Sequence, residues 1–211
     1  MPRHPPAFRK LAELGRELHA RGWALGTSGN FSVVTRRSPL RLAITSSGVD
    51  KAKMVPAHVM EVDEQGKALV GTRRPSAETL LHLAIIRNTQ AGAVLHTHSV
   101  WSTMLSELHA HNAGFAIEGL EMLKGLEGIN SHEHREWLPI LENSQNMPEL
   151  ANTVEGVLKA HPSSHGFLLR GHGLYTWGRD LSQAKRHVEI LEFLLEVTGR
   201  RLSADEPRSS Q

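Results

Sequence analysis

The chain has 211 residues, of which 39% are hydrophobic and 22% charged, with a formal net charge of +2 and no cysteine. This composition suits a globular protein with its own core and excludes disulfides, thiolate nucleophiles and cysteine-held zinc or iron–sulfur centres. No apolar run approaches the ~20 residues needed to cross a bilayer, and no basic cluster interleaves with aromatics as nucleic-acid binding requires. The opening Met1-Pro2-Arg3-His4-Pro5-Pro6 lacks the apolar core of a signal peptide, so a cytoplasmic protein is expected, with no membrane and no nucleic acid among its partners.

Phe8, Leu11, Leu14 and Leu18 recur at helical spacing and predict an amphipathic helix from Phe8 to Arg21. After the turn-rich Gly26-Thr27-Ser28-Gly29-Asn30, two strands over 31–35 and 41–45 are expected to form a hairpin around Arg36-Arg37-Ser38-Pro39. Ser46-Ser47-Gly48 follows, then short strands at 59–62 and 67–70 around Asp63-Glu64-Gln65-Gly66. Pro75-Ser76-Ala77-Glu78 opens a helix to about Asn88, with Ser76 a suitable N-cap. The strand Gly92–Leu95 leads into His96-Thr97-His98, then a helix over 100–108, a short strand and turn over 115–124, and a strand over 136–141. A helix over 148–160, strands at 167–170 and 174–177, and a final helix from Asp180 with Gln183 as its capping partner complete the pattern. Ser203 to Gln211 is polar, and a flexible tail is expected over 200–211. Helices and hairpins intermix without repeats or linkers, so one domain with a mixed, largely antiparallel sheet covered by helices is expected.

Alternate side chains of a strand share a face, so His96 and His98 can reach one ion. The pattern alone is weak: with 14 histidines in the chain, chance supplies roughly one such pair. His109/His111 and His132/His134 have the same spacing in polar or helix-like surroundings. An apolar strand before His96 and small polar residues after His98 set this pair apart. A third imidazole is available from Arg170-Gly171-His172-Gly173. Three histidines with an open fourth position describe a catalytic zinc site.

Thr27-Ser28-Gly29-Asn30, Ser46-Ser47-Gly48 and Pro75-Ser76-Ala77 could each approach an anion through glycine backbone, hydroxyls and free N–H groups. Each also reads as an ordinary turn or cap. Two carboxylates stand out. Glu78 lies in the expected first helical turn, where it could simply complement the dipole. Glu121 sits in the otherwise apolar Leu120-Glu121-Met122-Leu123, where a raised pKa would suit proton transfer, unless it is a solvated helix residue.

These motifs, in this order, resemble the class II aldolase/adducin superfamily over about residues 8–199. The resemblance implies a three-layer α/β/α fold, Zn2+ held by His96, His98 and His172, and a substrate phosphate surrounded by Asn30, Ser47, Gly48 and Ser76. It departs from the aldolase pattern at Ala77, where a second serine often helps hold phosphate. His96-Thr97-His98-Ser99, Glu121-Met122-Leu123-Lys124-Gly125, Pro139-Ile140-Leu141-Glu142-Asn143 and Tyr175-Thr176-Trp177-Gly178 are most similar to the dehydratase branch that acts in methionine salvage. That branch implies a small phosphorylated ketose as substrate, loss of water through an enediolate, and Glu121 as the acid/base. Aldolases of the superfamily imply Glu78 instead. A homotetramer with sites near subunit contacts is also implied. The same scaffold carries two alternatives, a sugar-phosphate aldolase or epimerase and a non-catalytic adducin-like binding module.

Overall fold

The computed structural model describes residues 4–205. Helix α1 (Pro6–Ala20) starts with proline in its first turn, where a missing N–H costs nothing. Strands β1 (Asn30–Arg37) and β2 (Leu40–Thr45) form the expected hairpin, and β3 (Val59–Val62) pairs with β2. Helix α2 (Thr79–Thr89) precedes β4 (Ala93–Thr97), α3 (Val100–Leu108), β5 (Gly114–Ile117) and β6 (Glu136–Leu141). Helix α4 (Met147–Ala160), β7 (Gly166–Leu169), β8 (Gly173–Gly178) and α5 (Leu181–Asp205) complete the chain. The eight strands make one sheet in the order β3-β2-β1-β4-β8-β7-β6-β5. Only β6 and β7 run parallel, so the sheet is mixed and largely antiparallel, as expected.

Strand alternation divides the core into two layers. Ala93 and Leu95 of β4 pack with Leu11 and Leu14 of α1, Leu105 of α3 and Val188 and Leu191 of α5. Val94 points the other way, toward Leu81 and Ile85 of α2 and Val154 of α4. Helices therefore cover both faces. β4 lies between β1 and β8 near the middle of the sheet, and its end delivers the histidine pair.

Three local expectations are corrected. Helix α2 begins at Thr79 with Glu78 in the N-cap position, not at Ser76. Pro75 forms an isolated antiparallel bridge with Ser46, just past the end of β2, and Ser76 accepts from the Thr79 hydroxyl through its carbonyl and from the Glu78 N–H through its own hydroxyl at 3.3 Å. The strand expected at 67–70 shrinks to one bridge, Val62 to Ala68. Leu69 and Val70 are exposed and have no core to hold them in register. Helix α5 runs to Asp205, past the start of the expected tail at 200; the rest of that tail, 206–211, lies outside the described residues.

Candidate active site

His96 is the last residue but one of β4, and His98 follows one residue beyond the end of the strand. The tight turn between β7 and β8 carries His172, with Gly171 beside it in the left-handed region at φ +59°. Gly173 is required for a different reason: a Cβ there would lie 2.0 Å from the Thr97 carbonyl oxygen. This close approach brings the β8 turn against the end of β4. The three imidazoles meet through Nε2, with His96 Nε2 2.7 Å from His98 Nε2 and 3.3 Å from His172 Nε2. Among the described residues these three form the one His/Cys/Asp/Glu group compact enough to hold a metal ion.

The protonation of His96 and His98 suits metal binding. His96 is fully buried, and its Nδ1–H donates to the Leu174 carbonyl at 3.0 Å, which leaves the Nε2 lone pair free. Burial, reinforced by His98 and His172, holds the His96 pKa well below its ordinary value. Burial also lowers that of His98, to about 4, with His172 and Lys51 adding to the effect. Neutral imidazoles with converging lone pairs are the donor set that a zinc-like divalent cation takes.

Glu78 completes the arrangement. Its Oε2 is 3.5 Å from His96 Nε2 and its Oε1 is 3.3 Å from His172 Nε2. A hydrogen-bonded chain holds it there. The carboxylate accepts from Asn30 Nδ2, and Asn30 Oδ1 accepts from Nε2–H of His82. Nδ1 of His82 then accepts from the Ser32 hydroxyl at 2.7 Å. An ionised carboxylate can only accept, so it fixes the direction of every bond behind it. Burial drives the His82 pKa down to about 3, which keeps the ring neutral in this role. Tyr175 stacks on His96, with ring centroids 3.9 Å apart, and on Phe167 from the other side. Its hydroxyl makes no hydrogen bond of good geometry. Burial first, and the nearby Glu78 charge second, hold its pKa well above the ordinary value.

A cavity of about 300 Å³ opens beside this cluster. Asn30, Ser47, Gly48, Ser76, Glu78, His98 and His172 all line it, so the anion-binding segments and the histidines share one space. Asn30 lines the cavity with its amide already committed to Glu78 and His82, which makes it a holder of Glu78 as well as a wall residue.

Glu121 is elsewhere. It begins a 3-10 turn over Glu121–Gly125, its side chain is 70% exposed, and it pairs with Lys124 and, at 3.9 Å, His132. The Lys124 hydrogen bond is the main cause that lowers its pKa, the opposite of the shift expected from apolar surroundings. The neighbouring leucine Leu123 is buried, and Glu121 occupies the outer side of the turn. Of the other histidine pairs, His134 bonds the buried Glu136 at 2.8 Å, and His109 stacks on Phe115. Cavity residues absent from the sequence reading are Lys51, Gln145 and Met147. Lys51 reads in sequence as one charge in a polar run, Asp50-Lys51-Ala52-Lys53, and no periodicity marks it as buried.

Comparison with known proteins places this geometry. Residues 9–198 match the family model described as Class II Aldolase and Adducin N-terminal domain. Methylthioribulose-1-phosphate dehydratase from Methylococcus capsulatus is 45% identical, covering 90% of this chain and 92% of that protein. Its counterpart from Marinobacter nauticus is 42% identical, over 92% of this chain and 93% of that protein. Among solved structures, L-fuculose-1-phosphate aldolase from Thermus thermophilus superposes with a TM-score of 0.72 at 28% identity, covering 95% of this chain and 96% of that one. The chain belongs to the class II aldolase and adducin family, within its group of methylthioribulose-1-phosphate dehydratases.

Proposed function

We propose that this chain is a zinc-dependent hydro-lyase of methionine salvage that converts 5-methylthioribulose-1-phosphate into 2,3-diketo-5-methylthiopentyl-1-phosphate in the cytoplasm. The observation that carries the reading is the convergence of three imidazoles and Glu78 beside a cavity walled by Ser47, Gly48 and Ser76. His96, His98 and His172 would hold the metal. When bound, it supplies Lewis acidity that polarises the substrate carbonyl at C2 and makes the C3 hydrogen acidic.

The protein groups then divide the remaining work. Ser47, Gly48 and Ser76 seat the phosphate, and that anchoring fixes the reacting carbons near the carboxylate. A carboxylate takes the C3 proton and gives a proton to the C4 hydroxyl, which leaves as water. The C3 enol left behind tautomerises to the 2,3-diketone. Two carboxylates are assigned to this exchange. Glu78 is already in place, with Oε1 facing His172 and Oε2 held by Asn30; it also suits the open metal position before substrate arrives. Glu121, which the resemblance favours, points to solvent in its own chain. It would act from a neighbouring copy, in a tetramer with sites near subunit contacts. The position of Glu78 also favours a second reading, retro-aldol cleavage of a sugar phosphate, because the superfamily's aldolases use a glutamate at this position.

Turnover of methylthioribulose-1-phosphate, with products weighed before and after chelation, tests the assignment. A metal-dependent product lighter by one water is expected. Two fragments would establish the aldolase reading, and no metal-dependent reaction would remove both. Glu78→Gln and Glu121→Gln then separate the carboxylates. If Glu121 acts across copies, Glu121→Gln is inactive alone, and mixing it with the metal-free His98→Ala variant restores turnover. Full activity in Glu121→Gln would leave the proton transfers to Glu78.

A further inference from the structure

Lys51 is 1% exposed, although it lies in a polar run of the sequence. Its Nζ donates to the carbonyls of Val49 at 3.1 Å and Thr27 at 3.2 Å. An ammonium has three N–H donors, so these bonds leave one uncommitted. Asp50, the preceding residue in the chain, pairs with Lys53 at 4.0 Å. No carboxylate of the described residues forms an ion pair with Lys51. A buried charge in that position is costly unless an anion reaches it. Burial is the main cause that lowers its pKa, to about 8, and Asp50 offsets this only in part.

Among the described residues Lys51 is also the sole lysine or arginine lining the cavity beside the three histidines. It enters at the junction of two of the small-residue loops. Its backbone N–H donates to the Gly26 carbonyl at 2.9 Å and its side chain to that of Thr27, while Gly48 stands three residues before it in the chain. Of the other lining groups, Ser28, Ser47, Gly48 and Ser76 are neutral and Glu78 is acidic. A dianionic phosphoryl group seated on the neutral ones would have hydrogen bonds and no countercharge unless Lys51 supplied it.

We propose that Lys51 is the cation that pairs with the phosphoryl group of the substrate, making this cavity selective for phosphorylated over unphosphorylated ketoses. The proposal rests on the reading of the cavity as a sugar-phosphate site, and it assigns to Lys51 a role in binding and selectivity, with no part in proton transfer.

Inorganic phosphate is the probe. Its affinity for the metal-loaded protein is measured by calorimetry, beside metal content and thermal unfolding, for the native chain, Lys51→Met and Lys51→Arg. Lys51→Met is expected to weaken phosphate binding by at least about tenfold, with metal content unchanged and partial recovery in Lys51→Arg. In turnover assays the loss is expected in KM more than in kcat. Native phosphate affinity in a folded Lys51→Met would overturn the proposal. If Lys51→Met does not fold, amidination of Lys51 in the native chain decides: saturating phosphate must protect it, and unprotected modification counts against the pairing. Should the native protein bind phosphate through Lys51 yet fail to dehydrate the ketose, the pairing stands and the dehydratase reading falls.

Discussion

Asn30 answers two opposed demands with one amide. Its nitrogen donates to Glu78 and its oxygen accepts from His82, so the residue can face only one way. Asn30→Ala removes both bonds, frees the Glu78 carboxylate and leaves a buried N–H of His82 unpaired, a loss of about 1–3 kcal/mol in stability. By analogy with other groups that orient metal-site residues, turnover or metal affinity is expected to fall by about 10–100-fold. Steady-state kinetics with chelator competition would measure both; native values for both would mean that Glu78 needs no holder. Lys51 and Glu121 mark the limits of residue-level reading. One looks exposed and is buried; the other stands among apolar letters and is solvated. In both cases backbone conformation decides: a turn after Gly48 sends Lys51 inward, and a 3-10 turn keeps Leu123 inside and Glu121 outside.

At the scale of elements, the histidine strand is tied from behind to α5. Thr97, between the two histidines, donates through its hydroxyl to Glu192 at 2.6 Å. Glu192 is 2% exposed, and burial, with Glu196 adding, outweighs the bonds from Ser99 and Thr97 and raises its pKa to about 7. A raised folded-state value means that the folded protein holds this proton more tightly than the unfolded chain does. The corresponding stability is fully present below the ordinary value of 4.5 and is lost as pH rises through about 7. Urea unfolding of the metal-free protein across that window is expected to show the decline, and Glu192→Gln, which cannot ionise, should lack it. Parallel curves for the two proteins would discard this account. Most elements were legible because alternation and helical spacing report burial directly. The errors fall where another element intervened: the Ser46–Pro75 bridge delayed α2, and the exposed segment after Ala68 had no layer to pack on.

For the whole molecule, the sequence shows ligand types and motif order, but only sheet topology explains their meeting. His96 sits opposite Asn30 of β1 on one side and Tyr175 of β8 on the other. His172 arrives because β8 pairs with β4 and the β7–β8 turn carries it to the end of that strand. No local pattern encodes that adjacency. The Asn30–His96–Tyr175 row has a consequence for folding. A slip of one residue in either strand pairing would carry its members to the opposite face, so the chelate cannot be built piecemeal. Assembly of the site and closure of the central sheet are then the same cooperative event. Native-state hydrogen exchange should find the β4 amides opening only with global unfolding, while the amide of Ser28, in the cavity loop, opens at a lower free energy. Equal protection of the two regions would refute this. A protein built this way can admit substrate by loosening its loops while the ligand row stays in register.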